Sequence, residues 1–318
     1  MDYIYKISVI MPTYNTDLPI LKEAVESILS QTFQDFEFII IDDGSTNGSD
    51  EYLNSLQDER IRIIRNPMNI GITKSLNIGL RAANGKYIAR MDADDISVPT
   101  RFEKQYAFME THPDVVMCGS AVQRFEAATY VRKTKNLDID TYRIKTLFYY
   151  PGPQHPTMFI RNSILREFRI LYDENMVSAQ DYQLCADLGN RGKIYIFPEI
   201  LLQQRVHQSS VTKSHHDIHR QCSIITQRKL LMGLLNNVTD EETKLHYRYS
   251  YAKSFRSISD FFKCAAWYMK LICANNRVQK YPRMKFIIYA WKLLMLTTAQ
   301  SILSSRRIHQ SQTSSHGK

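Results

Sequence analysis

Tyr87-Ile88-Ala89-Arg90-Met91-Asp92-Ala93-Asp94-Asp95 is the stretch that decides the fold. Residues 87–91 have the length and apolar content of a buried strand, and they run straight into three carboxylates. In an extended or turning segment, carboxylates two apart, as in Asp92 and Asp94, can face one ligand. Hard divalent cations such as Mg2+ and Mn2+ prefer such oxygens together with those of phosphate. An Asp-x-Asp pair by itself is a common solvated loop; the strand before it is what gives this one meaning.

Towards the N-terminus, three more apolar runs precede it. Residues 6–11 are ended by Pro12, residues 36–41 by Asp42-Asp43-Gly44-Ser45, and residues 61–64 form the third. Between the runs, apolar residues recur at helical spacing over 18–30, 51–56 and 73–83, the last stopping near Asn84-Gly85. This alternation predicts an α/β fold, a mostly parallel Rossmann-like sheet flanked by helices. Ligands of such sheets bind outside the carboxyl ends of the strands. Pro12-Thr13-Tyr14-Asn15, Asp42-Asp43, Asn69 and Asp92-Ala93-Asp94 follow the four strands in turn. Four polar clusters at four strand ends predict one shared site. Asp42-Asp43 carries two readings: an acceptor for a nucleobase imide or ribose hydroxyl, or a helix N-cap or Asx-turn of the kind Asp-Asp-Gly-Ser forms well.

Further along, residues 115–123 and 193–197 read as strands, and 177–188 as a helix carrying Asp181. Pro151-Gly152-Pro153-Gln154-His155-Pro156 is a rigid loop before the apolar 158–160. From about residue 215 the pattern is helical. The expected organisation is a catalytic domain over 1–212, a helical C-terminal region over 213–308 and a disordered polar tail over 309–318.

A net charge of +9 implies an anionic partner. No zinc-finger spacing, aromatic RNA-binding signature or long Lys/Arg run accompanies it, so nucleic acid is not expected as a partner. The basic excess lies towards the C-terminal third. There, residues 286–303 are strongly apolar yet contain Lys292 and are flanked by Lys285, Arg306 and Arg307. That is marginal for a spanning helix of about 20 residues; it suits a helix lying in a membrane interface or one packed in a core. The five cysteines are scattered and lack a C-x-x-C pair, which predicts idle thiols in a reducing compartment. The N-terminus reads as a strand, not a signal peptide, so a cytoplasmic location is expected.

Ser8-Val9-Ile10-Met11-Pro12-Thr13-Tyr14-Asn15, Ile41-Asp42-Asp43-Gly44-Ser45, Asn69-Ile70-Gly71 and Ala89-Arg90-Met91-Asp92-Ala93-Asp94-Asp95 together resemble family 2 of the glycosyltransferases, over about residues 5–210. These are inverting enzymes of the GT-A fold, and the resemblance is to the bacterial capsular, exopolysaccharide and O-antigen group, amylovoran-type transferases included. It implies a UDP-sugar donor, a Mn2+ or Mg2+ cofactor and a lipid-linked glycan acceptor, with peripheral contact at the inner face of the cell membrane. It implies that Pro12, Thr13, Tyr14, Asn15 and Asn69 line the nucleotide pocket. Asp42 or Asp43 would meet uracil, Lys74 would approach the diphosphate, Ala93 would meet the donor, and Asp92 would contact the donor's ribose or the metal. Asp94 would be the main metal ligand.

The family's Glu-Asp pair, whose Asp is the general base, matches Gln180-Asp181. The base is retained and the Glu is replaced, which puts the acceptor class in doubt. His207, in Arg205-Val206-His207-Gln208, resembles a downstream motif that would complete the metal shell or contact the diphosphate. His155 resembles a residue of the acceptor side. The Gln180 replacement motivates an alternative, a non-catalytic nucleotide-binding or scaffold subunit of a glycan-assembly complex. A nucleotidyltransferase would need a Gly-rich basic loop after the first strand, which Pro12-Thr13-Tyr14-Asn15 lacks.

Overall fold

The computed structural model describes residues 3–127, 129–206, 216–251 and 254–314, without the side chains of 216 and 302–314. The chain divides into two units, Met1–Ile139 with Pro151–Cys222, and Asp140–Tyr150 with Ser223–Lys318. Residues 140–150 thus group with the C-terminal helices, an exchange that no composition shift in the sequence marks.

The first unit is built on a nine-stranded sheet. Strands β1 (Tyr5–Thr13), β2 (Phe36–Asp42), β3 (Ile61–Arg65) and β4 (Gly85–Arg90) are parallel, in the order β3-β2-β1-β4. Every residue of β2 is buried, as expected of a parallel strand covered on both faces. Helices α1 (Leu18–Leu29), α2 (Ser49–Asn54) and α3 (Ile72–Ala82) make the crossovers. α1 buries Leu21, Ala24, Val25 and Ile28, one stripe at helical spacing. The register sets Thr13 opposite Asp42, Asp42 opposite Arg65 and Ile10 opposite Arg90. The four carboxyl ends therefore lie along one edge, as the sequence predicts.

Past β4 the sheet becomes mixed. β5 (Ile96–Ser97) pairs antiparallel with β9 (Lys193–Val206), and β7 (Tyr130–Arg132) pairs with β6 (Val115–Glu126). β8 (Phe159–Arg161) sits antiparallel between β4 and β6, while β6 and β9 are parallel. β9 is far longer than the expected 193–197, because the sequence signal stops at Pro198. The register steps from Ser120–Phe197 to Ala121–Ile200, so Pro198 falls in a bulge, where its missing N–H is tolerated, and the strand continues. Helix α4 (Arg101–Thr111) has no apolar signature because fully buried Arg101 and Gln105 occupy its core-facing positions.

The other helices are α5 (Ile139–Phe148), α6 (Asn162–Glu167), α7 (Gln180–Gly189), α8 (His216–Met232), α9 (Asp240–Ser250), α10 (Ile258–Val278) and α11 (Arg283–Ser314). α11 carries the helix into the polar stretch that begins at 309. Phe148, Leu231, Trp267, Leu271 and Phe286 belong to the core of the second unit. Thr239 and Glu242 form a reciprocal cap at the start of α9. Among the described residues no disulfide forms: Cys118, Cys185, Cys222 and Cys264 are buried and Cys273 is exposed. No helix among the described residues is long and apolar enough to cross a membrane.

Candidate active site

Past the end of β4 the chain turns at Ala93-Asp94. Ala93 is buried and belongs to the hydrophobic core, while Asp92 and Asp94 stay partly exposed. Asp92, Asp94 and Asp95 each bring a carboxylate oxygen within 4.8 Å of the others. Asp95 is 1% exposed; its Oδ1 accepts the Arg205 N–H at 2.9 Å, and its Oδ2 is buried without a hydrogen bond. Burial, then the charges of Asp92 and Asp94, hold the Asp95 carboxyl well above the usual range, against the Arg205 N–H and Arg90. Three crowded carboxylates with an unsatisfied oxygen fit a hard divalent cation, which reverses the penalty of bringing them together.

Buried arginines fix this edge. Arg101 Nη2 donates to the Arg90 carbonyl at 2.8 Å and its Nε to Gln105 at 3.0 Å; burial brings its pKa down to about 9. Arg205, on β9, donates to the Asp94 carbonyl at 3.0 Å and pairs with Glu23 and Glu126. Arg90 is itself buried and pairs with Asp92.

On the β1 and β2 side, Asp43 is fully engaged. Its Oδ1 accepts from Asn66 at 2.8 Å and from the Ile70 N–H at 3.0 Å, and its Oδ2 accepts the Gly71 N–H at 2.9 Å. It fastens the 66–71 loop, which presents exposed Asn69. Asp42 makes the turn expected of Asp-Asp-Gly-Ser: its Oδ1 accepts the Ser45 N–H at 2.9 Å. Asp42 Oδ2 has no hydrogen bond and lies 3.5 Å from Arg65 Nε. Asn15, at φ 48, clamps the same turn, donating its N–H to Ser45 Oγ at 2.9 Å and accepting from the Thr46 N–H at 2.8 Å. Thr13 is buried and meets Thr16 at 2.9 Å, and Tyr14 is half exposed. Pro12 is buried in β1.

Gly44 joins the two loops. At φ +79, a Cβ there would stand 2.7 Å from the Met68 carbonyl carbon. Gly44→Ala is therefore expected to displace the Met68–Asn69 backbone and to cost about 1–3 kcal/mol of stability, read as a lowered Tm together with weakened nucleotide binding.

The other wall comes from the segment between α6 and α7. Asn77 of α3 holds Tyr172 at both backbone groups, each at 2.9 Å, and Thr73 donates to the Met176 carbonyl at 2.6 Å. The chain then passes Ala179, at φ 52, into α7, whose first turn carries buried Gln180 and half-buried Asp181. Burial pushes the Asp181 carboxyl up, while the Tyr182 N–H, His219 and Arg90 pull it down. His155 Nε2 shares a hydrogen bond with the Tyr172 hydroxyl at 2.8 Å. Burial, then Arg90, hold His155 well below its ordinary value, so its ring is neutral. Burial raises the Tyr172 hydroxyl, and Arg90 opposes it. One guanidinium therefore acts electrostatically on Asp92, His155, Tyr172 and Asp181, linking the two walls.

The structure thus brings Asp92 and Asp94 together with Asp95 and joins His155 to Tyr172, with Asp181 within electrostatic range of Arg90. Lys74 is exposed on α3, where its charge helps hold Glu174 below the usual range. His207 lies outside the described residues. Asp95, Arg90 and Arg205 stood inside quoted motifs without a role, though a third acid after Asp-x-Asp was a visible signal. Tyr172 had none, since its place depends on Asn77, 95 residues away.

Residues 8–169 match the family described as glycosyl transferase family 2. An uncharacterized glycosyltransferase of Haemophilus influenzae is 29% identical over 243 residues, 73% of this chain and 75% of that protein. One of Methanocaldococcus jannaschii is 36% identical over 208 residues, 63% of this chain and 70% of that protein. The amylovoran biosynthesis glycosyltransferase AmsE of Erwinia amylovora is 37% identical over 122 residues, 37% of this chain and 46% of that protein. Among solved structures, Staphylococcus aureus TarS 1-349 in complex with UDP-GlcNAc superposes with a TM-score of 0.60 at 16% identity, covering 85% of this chain and 81% of that one. The mannosyltransferase PcManGT of Pyrobaculum calidifontis, in complex with GDP-Man and Mn2+, gives 0.56 at 14% identity, covering 92% and 81%. These likenesses establish the expected GT-A-like fold. The chain belongs to glycosyl transferase family 2 and is a glycosyltransferase.

Proposed function

We propose that the chain is an inverting transferase that moves a sugar from a UDP-sugar to a hydroxyl of a growing, lipid-linked surface glycan. The observation that carries this reading is the Asp92-Asp94-Asp95 cluster at the end of β4, with Asp181 within electrostatic range of Arg90, the partner of Asp92. The UDP-GlcNAc bound by TarS supports the donor class, and the name of AmsE supports the glycan. A lipid-linked acceptor places the work at the inner face of the cell membrane.

In the proposed reaction the acceptor oxygen attacks the anomeric carbon from the face opposite the diphosphate. The carbon–oxygen bond to the diphosphate breaks, UDP leaves with the electron pair, and the acceptor proton passes to Asp181. A carboxyl raised above its ordinary value binds the acceptor proton more strongly than an ordinary aspartate does. Of the Asp42-Asp43 pair we assign the uracil contact to Asp42, since Asp43 is saturated by the 66–71 loop. Asp94, with Asp92 and Asp95 and with His207 as the expected fourth ligand, would hold Mn2+ or Mg2+; when bound, the ion supplies positive charge against the departing diphosphate.

Incubation with Mn2+, a panel of nucleotide sugars and lipid-linked acceptors is expected to give turnover with a UDP-sugar and a product of inverted anomeric configuration. Retained configuration, or turnover with GDP-sugars only, would overturn the reading. Gln180, buried where a carboxylate is expected, favours one rival, a nucleotide-binding subunit without transferase activity of its own. UDP binding with no transfer to any acceptor would support it.

A further inference from the structure

In the second unit, α10 and α11 pack as a hairpin across residues 279–282. The turn is tied by the Asn275 side chain, which accepts the Tyr281 N–H at 2.9 Å and donates to its carbonyl at 3.0 Å. Phe286, Ala290 and Leu294 of α11 are buried at a spacing of four, the core face of an ordinary amphipathic helix. The other side of α11 is apolar too. Met284, Ile288, Trp291 and Met295 follow the i, i+4, i+7, i+11 rule and are 47–66% exposed. On α10 the same spacing gives Phe262, Ala266, Met269 and Cys273, all exposed. Met269 and Trp291 line one shallow groove, so the two stripes meet. A surface apolar on this scale needs a second partner.

The charges identify that partner. Residues 258–318 contain ten lysines and arginines and one acid, Asp260, which is buried against Arg248. Four of the bases directly follow stripe residues: Phe262-Lys263, Met269-Lys270, Met284-Lys285 and Trp291-Lys292. All four are exposed, and two of them also reach Glu242 and Asp140. One residue further round a helix is about a quarter turn, so each lysine borders the apolar stripe. Lysine stems extend along apolar surface and keep their ammonium groups in the polar layer. A second copy of this face would set basic residues against basic residues, and a nucleic acid would leave the stripe uncovered.

We infer that the exposed face of the α10–α11 hairpin is a docking surface for an anionic lipid bilayer, lying in the interface without crossing it. The absence of a span among the described residues agrees with this mode. The inference deepens the lipid-linked acceptor reading, and its test needs neither acceptor nor nucleotide sugar. The full chain is sedimented with phosphatidylcholine vesicles, with and without phosphatidylglycerol. The wild type is expected to bind the anionic vesicles. Ile288→Asp/Trp291→Asp is expected to weaken that binding by roughly tenfold or more, with the Tm and solution mass unchanged. Lys263→Glu/Lys292→Glu is expected to lower binding to anionic vesicles by roughly tenfold and to leave the weak binding to neutral ones unaltered. Vesicle binding by a preparation without transferase activity would support the surface and count only against the enzymatic reading. No vesicle binding, equal binding by the apolar double variant, a dimer that Trp291→Asp dissociates, or binding to DNA but not to vesicles would each overturn it.

Discussion

Asp181→Asn is expected to slow sugar transfer by about 10²- to 10⁴-fold, the usual worth of a positioned general base, with UDP affinity unchanged. Asn keeps the shape of the side chain and removes its ability to take a proton. A second consequence follows from linkage. Burial raises the Asp181 carboxyl above the ordinary value of 3.8. A folded-state pKa above the unfolded one gives stability that is fully present below the unfolded value and is lost as pH rises through the folded value. Once ionised, the carboxylate is therefore a net burden on the fold, and neutral Asn is expected to raise Tm rather than lower it. The acid limb of the wild-type pH–rate profile is expected above the ordinary aspartate range and to vanish in the variant. Loss of rate together with a lowered Tm would mark Asp181 as structural instead.

Asp94→Asn is expected to lower kcat/KM by about 10³-fold, comparable to removing one strong electrostatic contact to a developing charge. It leaves an oxygen in place but removes one of three carboxyl groups whose oxygens lie within 4.8 Å of one another. Excess Mn2+ is expected to restore part of the rate. Without metal, the variant is expected to be at least as stable as the wild type, because repulsion on Asp95 is relieved. Kinetic titration with Mn2+ and melting curves in EDTA check both. A variant that matches the wild type in Mn2+ dependence would remove Asp94 as a ligand.

The donor half of the site was legible because its cause is local. Each of the four parallel strands is a short apolar run that ends in polar residues, so order and alternation alone place Asn15, Asp42, Asn69 and Asp92 along one edge. The division of labour between Asp42 and Asp43 was not legible, since it depends on which oxygens the 66–71 loop occupies. The side that carries Asp181 was reached through the resemblance alone, because local pattern shows only a polar residue on a helix. The segment leading to it is held by Asn77 on Tyr172 and Thr73 on Met176, contacts 95 and 103 residues apart in sequence. α4 escaped notice because Arg101 and Gln105 fill its core positions, where periodicity looks for apolar side chains. The long β9 escaped because a bulge absorbs Pro198.

A metal held against a nucleotide diphosphate at the acidic end of β4 is tested most directly by calorimetric titration of UDP into the wild type and into Asp94→Asn, each with Mn2+ and with EDTA. Mn2+ is expected to strengthen UDP binding to the wild type by about tenfold or more, equivalent to at least ~1.4 kcal/mol, with most of that gain lost in Asp94→Asn. UDP affinity that is the same in Mn2+ and EDTA, or a gain that survives in Asp94→Asn, would contradict it.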